Sequence, residues 1–253
     1  MFGRLAGDKC LKWIAFGWGG FTVENLILSE NRSWIIGEIG EKKYHTLYNS
    51  LSSIACGSVA FGYLRHGPGR LINKIGTGRT IFAGASLVVG CLGLSQLLPK
   101  LQNPFKYDGG MRCPFDFKDQ DLKDDEGLYR VTRHPMLYSI GLFGLGLGLS
   151  SHFVGRLALC SGPLFVALVG THHQDYRYRR GIGGLLTPER DQRTSNIPFQ
   201  ALIFGEQQWL KLLDELKLTN CCVGIGVAAL LFLSARSCGR GSRQIATKLV
   251  SRS

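Results

Sequence analysis

Six apolar runs constrain this chain more than any other feature. They lie at 13–28, 46–64, 81–98, 136–153, 154–171 and 219–235. Lys and Arg stay out of their middles; Arg156 is the third residue of the fifth run. A helix rises about 1.5 Å per residue, so 18 residues cover roughly 27 Å, close to a bilayer's hydrocarbon thickness. In lipid each backbone N–H and C=O must be paired within its own segment, which makes such runs helices. The pattern predicts an all-α fold, a polytopic integral membrane helix bundle with about six transmembrane helices. Residues 200–218 alternate apolar and polar positions at helical spacing and predict an interfacial helix before the last span. Residues 1–12 read as an N-terminal extension, 13–235 as the transmembrane domain and 236–253 as a basic tail.

Charge sits in the connections and termini. The net charge is +12, and 17 of the 30 Lys/Arg fall in the connections 29–45, 99–135 and 172–218. The remaining 13 fall elsewhere, an asymmetry too small to set the sidedness of the bundle. The basic residues bracket apolar helices and form no polar face of their own, which excludes nucleic acid as a partner. Anionic lipid headgroups, cardiolipin-like, are the expected counter-charge, at about 1 kcal/mol per basic residue near the surface. The tail after Ala235 carries five basic residues and no acidic one. The acidic stretch 101–128 has no calcium-loop spacing. The eight cysteines form no C-x-x-C pair, so neither a disulfide framework nor a thiolate zinc site is expected, and no metal is assigned.

Within this frame the most informative residues are Arg133-His134-Pro135 and His172-His173-Gln174-Asp175. Two apolar runs separate them, with a break at 150–156, so an antiparallel hairpin returns the chain to the membrane face it left. His134 is therefore expected close to His172 and His173 at one water–lipid boundary. Pro135 suits the first position of a helix, with Thr132 as a candidate cap. Arg133, His134, His172 and His173 are the candidate catalytic residues. The alternative for the same residues is an interfacial hydrogen-bond cluster. Beyond the fifth run, Tyr176 and Tyr178 suit the membrane interface, and Arg177, Arg179 and Arg180 suit phosphate. With Arg133 they form the expected lipid- or anion-binding set. Glu24 is the only carboxylate inside a spanning run and by default has a function or a partner. Gly141, Gly144 and Gly148 make a stripe on the fourth run, and Ser58/Gly62 and Gly224/Ala228 repeat the small-xxx-small spacing that lets helices approach closely in lipid.

Four elements occur in order: Gly40-Glu41-Lys42-Lys43-Tyr44-His45-Thr46-Leu47-Tyr48, Tyr129-Arg130-Val131-Thr132-Arg133-His134-Pro135, His172-His173, and Arg193-Thr194-Ser195-Asn196-Ile197-Pro198-Phe199. In this order they resemble the NnrU-domain membrane proteins over residues 13–205. The pattern is most similar to the zeta-carotene isomerases, and more distantly similar to isoprenylcysteine carboxyl methyltransferases and nurim. The isomerase resemblance implies a b-type haem on helix-borne histidines and redox-gated isomerisation of a cis polyene. Its early ligand position falls near Glu24/Asn25 and its later one near Leu147, neither a histidine. The methyltransferase resemblance implies S-adenosylmethionine at the Arg-His-Pro face, with an acidic pair where this chain has His172-His173-Gln174-Asp175. The expectation is a catalytically degenerate relative with no cofactor. It would serve as an accessory or structural subunit among other membrane proteins of a respiratory or photosynthetic complex. An organellar inner membrane is expected, mitochondrial before plastid. The alternatives are a haem-dependent isomerase and an S-adenosylmethionine-dependent methyltransferase.

Overall fold

The computed structural model describes residues 9–72, 75–98 and 126–250, with the backbone alone described beyond 235. Most of the acidic stretch 101–128 and of the N-terminal extension lie outside the described residues. Every apolar run is helical: α1 (Lys9–Glu30), α3 (Glu41–His66), α4 (Thr77–Leu97), α5 (Pro135–Leu149), α6 (Val154–Arg179) and α10 (Leu218–Val250). Short helices join them: α2 (Arg32–Ile39), α7 (Pro188–Arg193), α8 (Gln200–Ile203) and α9 (Trp209–Glu215). Among the described residues there is no strand, only a single bridge between Leu71 and Phe153.

Among the described residues three helices are long and apolar enough to cross a membrane: Thr77–Leu97, Val154–Arg179 and the Leu218–Ala235 part of α10. Helix α5 is apolar but shorter, at 15 residues, because it stops at Leu149 and not at 153. Arg79 explains the early stop. Its Nε donates to the Leu149 carbonyl at 3.0 Å and its Nη2 to the Ser151 carbonyl at 2.7 Å, so the freed carbonyls are capped from α4. Helices α1 and α3 have the length to span, at 22 and 26 residues. They are diluted by polar residues such as Glu24, Asn25, Asn49 and Ser52.

The helices pack in series, α3 on α1, α1 on α6, α6 on α5, α5 on α4 and α4 on α10. Small residues make each contact close. A Cβ at Gly144 would strike the Cys160 carbonyl of α6, and one at Gly141 would lie 2.7 Å from the Leu164 Cα. On its other side α5 presses the Phe143 backbone onto Gly90 of α4, and Gly146 against Leu87. Lipid tails are as apolar as leucine, so such backbone approach, and not exclusion from water, holds the bundle. The turn of the α5–α6 hairpin is pinned by the loop after α3. Ile72 N–H donates to the His152 carbonyl, Val154 N–H to Arg70 and Gly155 N–H to Pro68, at 2.6, 3.0 and 2.9 Å.

One element differs from the sequence reading. The interfacial helix expected over 200–218 is two short helices, α8 and α9, broken where Gly205 takes φ +82°. In the backbone α10 runs without a break through Val250.

Candidate functional site

The hairpin brings Arg133-His134 to the last turns of α6, as its length requires. Pro135 occupies the first turn of α5 and His134 is the residue just before it, with no side-chain cap. The Thr132 hydroxyl instead donates to the Asn196 carbonyl, and the His134 N–H donates to it at 3.3 Å. A 3-10 turn, Gly127–Arg130, leads into this corner.

The partner of His134 is Asp175. His134 Nε2 lies 2.7 Å from Asp175 Oδ1. Arg133 donates to Asp175 Oδ2 from Nη2 at 2.6 Å and from Nε at 3.2 Å. Its Nη1 donates to the Thr194 carbonyl at 2.9 Å and the Thr194 hydroxyl at 3.0 Å, and lies 3.1 Å from Asp191. Asn196 Nδ2 donates to Asp175 Oδ2 at 2.9 Å. The Tyr138 and Thr171 hydroxyls in turn donate to Asn196 Oδ1, at 2.7 and 3.0 Å. Arg133, His134, Asp175 and Asn196 are all buried. Each carboxylate oxygen and each guanidinium nitrogen is engaged, which is the condition under which a buried ion pair is tolerable.

This network fastens the 194–199 segment across the hairpin. Two backbone bonds complete it, Arg133 N–H to the Ser195 carbonyl at 2.9 Å and Phe199 N–H to Val131 at 2.8 Å. Phe199 adopts φ 67°, a left-handed conformation unusual for a bulky residue, and its ring stacks on Trp209. Outside the seam, hydrogen bonding from Arg179 holds the Asp191 carboxyl below the usual carboxylate range. Arg130 does the same for Glu215, through bonds of 2.8 and 2.7 Å.

The adjacent histidines do not meet His134. Neighbouring helix residues point about 100° apart. His172 is exposed, with Nδ1 2.8 Å from the Leu168 carbonyl. His173 turns toward α1, 3.5 Å from Glu30. The expected anion-binding set is divided too. Arg133, Arg177 and Tyr178 are buried. Tyr176 is exposed and carries Arg180 over its ring at 4.2 Å. Arg180 also donates to Glu30 at 2.8 Å, and Arg179 to Asp191 at 2.7 Å.

Two spaces flank the network. A cleft of about 400 Å³ is bordered by Arg133, Asp175, Asp191, Asn196 and His172. On the far side of the 194–199 segment, an apolar cavity of about 150 Å³ lies between α4, α5 and α9, lined by Leu128, Tyr138, Leu142, Phe199 and Leu212.

The family model described as NnrU protein matches residues 16–236. The chain belongs to the NnrU family. No curated protein and no solved structure matches it.

A second polar seam in this NnrU protein joins α1 to α3. Asn25 is buried, accepts a hydrogen bond from the Tyr48 hydroxyl, and donates to the Phe21 carbonyl at 2.7 Å. The Tyr44 hydroxyl donates to the Leu28 carbonyl at 3.1 Å. Ser52 donates to Glu24 Oε1 at 2.7 Å, and Glu24 Oε2 is buried without a hydrogen-bond partner. These are the places where the isomerase resemblance puts an early haem ligand. The later one, Leu147, packs with Leu87, Cys91 and Ala228. A leucine cannot ligate iron, and an asparagine already bonded to tyrosine is a poor substitute. The residues present do not fit a bis-histidine haem. Among the described residues no group of three or more His, Cys, Asp and Glu is placed to hold a metal.

Reading the residues alone missed Asp175, Thr194 and Asn196 as parts of one centre. The available signal was a lone acid at the membrane end of a spanning helix, which must find a partner. The Arg-His pair at the other end of the hairpin is the nearest candidate.

Proposed function

We propose that this NnrU protein is a catalytically degenerate, zeta-carotene-isomerase-like membrane protein acting as an accessory or structural subunit of an organellar complex, respiratory or photosynthetic. The reading is carried by the Arg133–Asp175–His134 centre, which bonds to the surface segment as well as within itself. Each guanidinium nitrogen of Arg133 and each oxygen of Asp175 bonds within the protein, with Thr194 and Asn196 as further partners. The role of the centre is to lock the surface segment onto the hairpin. No cofactor is assigned. The partners are other membrane subunits and anionic lipids, with Tyr176, Arg179 and Arg180 as the exposed part of the lipid-binding set. Six spans follow if α1, α3 and α5 cross beside the three more apolar helices. The proposed location is an organellar inner membrane, mitochondrial before plastid, where anionic headgroups would meet the net charge of +12.

Gentle solubilisation of the native membrane and separation under non-denaturing conditions tests this. Migration in a large assembly without Soret absorbance is the expected result. A small particle with stoichiometric haem, lost on His134→Ala, contradicts it.

The 400 Å³ cleft beside Arg133 and Asp175 favours a second reading, an S-adenosylmethionine-dependent methyltransferase. Calorimetric binding of S-adenosylmethionine to the solubilised chain, abolished by Arg133→Ala, would establish it and displace the first. The same cleft gives no support to a haem isomerase, whose ligand positions are filled otherwise.

A further inference from the structure

The apolar cavity on the far side of the 194–199 segment, about 150 Å³ in volume, runs along the bundle. Its wall extends from Val89 to Gln96 on α4 and from Pro135 to Leu142 on α5, each about 10 Å of helix. The two stretches lie side by side, since the Phe143 backbone meets Gly90. Gln96 and Pro135 are at the interfacial ends of their helices, so the cavity starts at the membrane interface and reaches down into the span. Leu128, Phe199, Leu212 and Leu216 roof its interfacial end. The polar network holds that roof in place through Thr194 and Asn196, and Phe199 stacks on Trp209.

The polar residues of the wall spend their polar atoms elsewhere. Gln96 donates from Nε2 to the Lys217 carbonyl at 3.0 Å and accepts from the Lys217 N–H at 2.8 Å. The Thr132 and Tyr138 hydroxyls donate to Asn196. Ser139 Oγ is pressed against Gly93, where a Cβ would strike it. The surface left facing the space is almost wholly hydrocarbon. Water needs several polar partners and does not find them here, and an apolar void of about 150 Å³ stays dry and takes up hydrocarbon instead. Left empty, its lining side chains forfeit their contacts on one side.

Shape and depth select the ligand. A space about 10 Å long and parallel to the spanning helices is aligned with the acyl chains of the adjoining leaflet. Val89, Leu92 and Leu142 are half-buried, so its wall reaches toward lipid. We propose that this cavity binds one acyl chain of a membrane lipid, taken in from the leaflet beneath the roof of Phe199 and Leu212. The network then has a second consequence: by fixing the 194–199 segment it keeps the roof closed over the chain. The inference rests on the bundle lying in a membrane and not on its being a non-catalytic subunit.

The full chain in phosphatidylcholine bilayer discs tests it, with a phosphatidylcholine added that carries a diazirine partway along one acyl chain. After irradiation the adducts are mapped by mass spectrometry of peptides. Val131, Tyr138 and Leu212 line the cavity and are 8%, 3% and 5% exposed, so labelling there needs a chain inside. Adducts are expected on these three as well as on Ile81 and Phe82, which are exposed on α4. Val89→Trp, which fills the deep end, should cut the three interior adducts about tenfold and leave those on Ile81 and Phe82 unchanged. Leu142→Trp fills the same end from the facing wall and should do likewise, so the test survives if one variant does not fold. Labelling of Ile81 and Phe82 alone in the wild type overturns the site, as does interior labelling that persists in both filled variants. Interior labelling by a diazirine-bearing dodecane, and not by the phosphatidylcholine, overturns the lipid source. Neither failure alters migration in a native complex, so this proposal and the accessory-subunit reading fail separately.

Discussion

At the interfacial end of α5 and α6, Asp175 commits both carboxylate oxygens to Arg133, His134 and Asn196. Between α1 and α3, Glu24 holds Ser52 through one oxygen and leaves the other unbonded, while the neutral Asn25–Tyr48 pair closes the contact. Both seams join helices across sequence gaps, yet they use charge differently. A charged seam joins distant segments with high geometric demand, and it fails badly when one member is lost, because the survivors stay buried and unpaired. A neutral seam loses little more than one hydrogen bond. The comparison predicts a graded series of failures.

The largest effect belongs to Asp175→Ala, which leaves a guanidinium buried without its carboxylate. It should destabilise the detergent-solubilised chain by about 3–5 kcal/mol, read as a drop in the thermal transition. A smaller loss is expected from Gly144→Leu. Its side chain collides with the Cys160 carbonyl and forces α5 from α6, at a cost of about 1–3 kcal/mol. That variant separates backbone approach from the polar seam at the hairpin's end. Tyr48→Phe removes the hydroxyl from Asn25 and should cost about 1 kcal/mol.

Acid should act on the charged region more than on the neutral Asn25–Tyr48 contact. The carboxyls of Asp191 and Glu215 are held low by Arg179 and Arg130. Their contribution is complete above the ordinary carboxylate values of about 3.9 to 4.3 and is lost as pH falls through the lowered ones. Limited proteolysis below about pH 4 should therefore release 187–216 while α1 and α3 stay protected. Simultaneous cleavage of both regions would argue against the difference. The smallest effect is expected for Glu24→Gln, within about 0.5 kcal/mol, since the amide oxygen still accepts from Ser52 and its nitrogen replaces an oxygen that made no bond. A loss as large as that of Asp175→Ala would make Glu24 part of an unrecognised charged centre.

Much of this was legible in the residues. Run lengths and the rise of a helix foretell the hairpin, Pro135 foretells where α5 begins, and the Gly141–Gly148 stripe foretells how tightly α6 approaches. The rotation of α6 about its axis is another matter. His172, His173 and Asp175 all sit at the right depth, and only packing decides which faces α5. Burial turned Asp175 inward and left His172 outside. The surface segment was misread for a local reason. Apolar spacing over 200–218 is helical on average, yet Gly205 admits a left-handed turn that splits it. The capping of α5 by Arg79 was out of reach, because nothing local ties residue 79 to 149.

The claim at the centre of this account is that Asp175 serves as a fastener. Amide hydrogen exchange on Asp175→Asn, in the same detergent as the wild type, tests it most directly. Protection is expected to collapse across 187–216 while α1 and α3 keep theirs. Unchanged protection across 187–216 would contradict it and return the Arg133–His134–Asp175 centre to consideration as a site of chemistry.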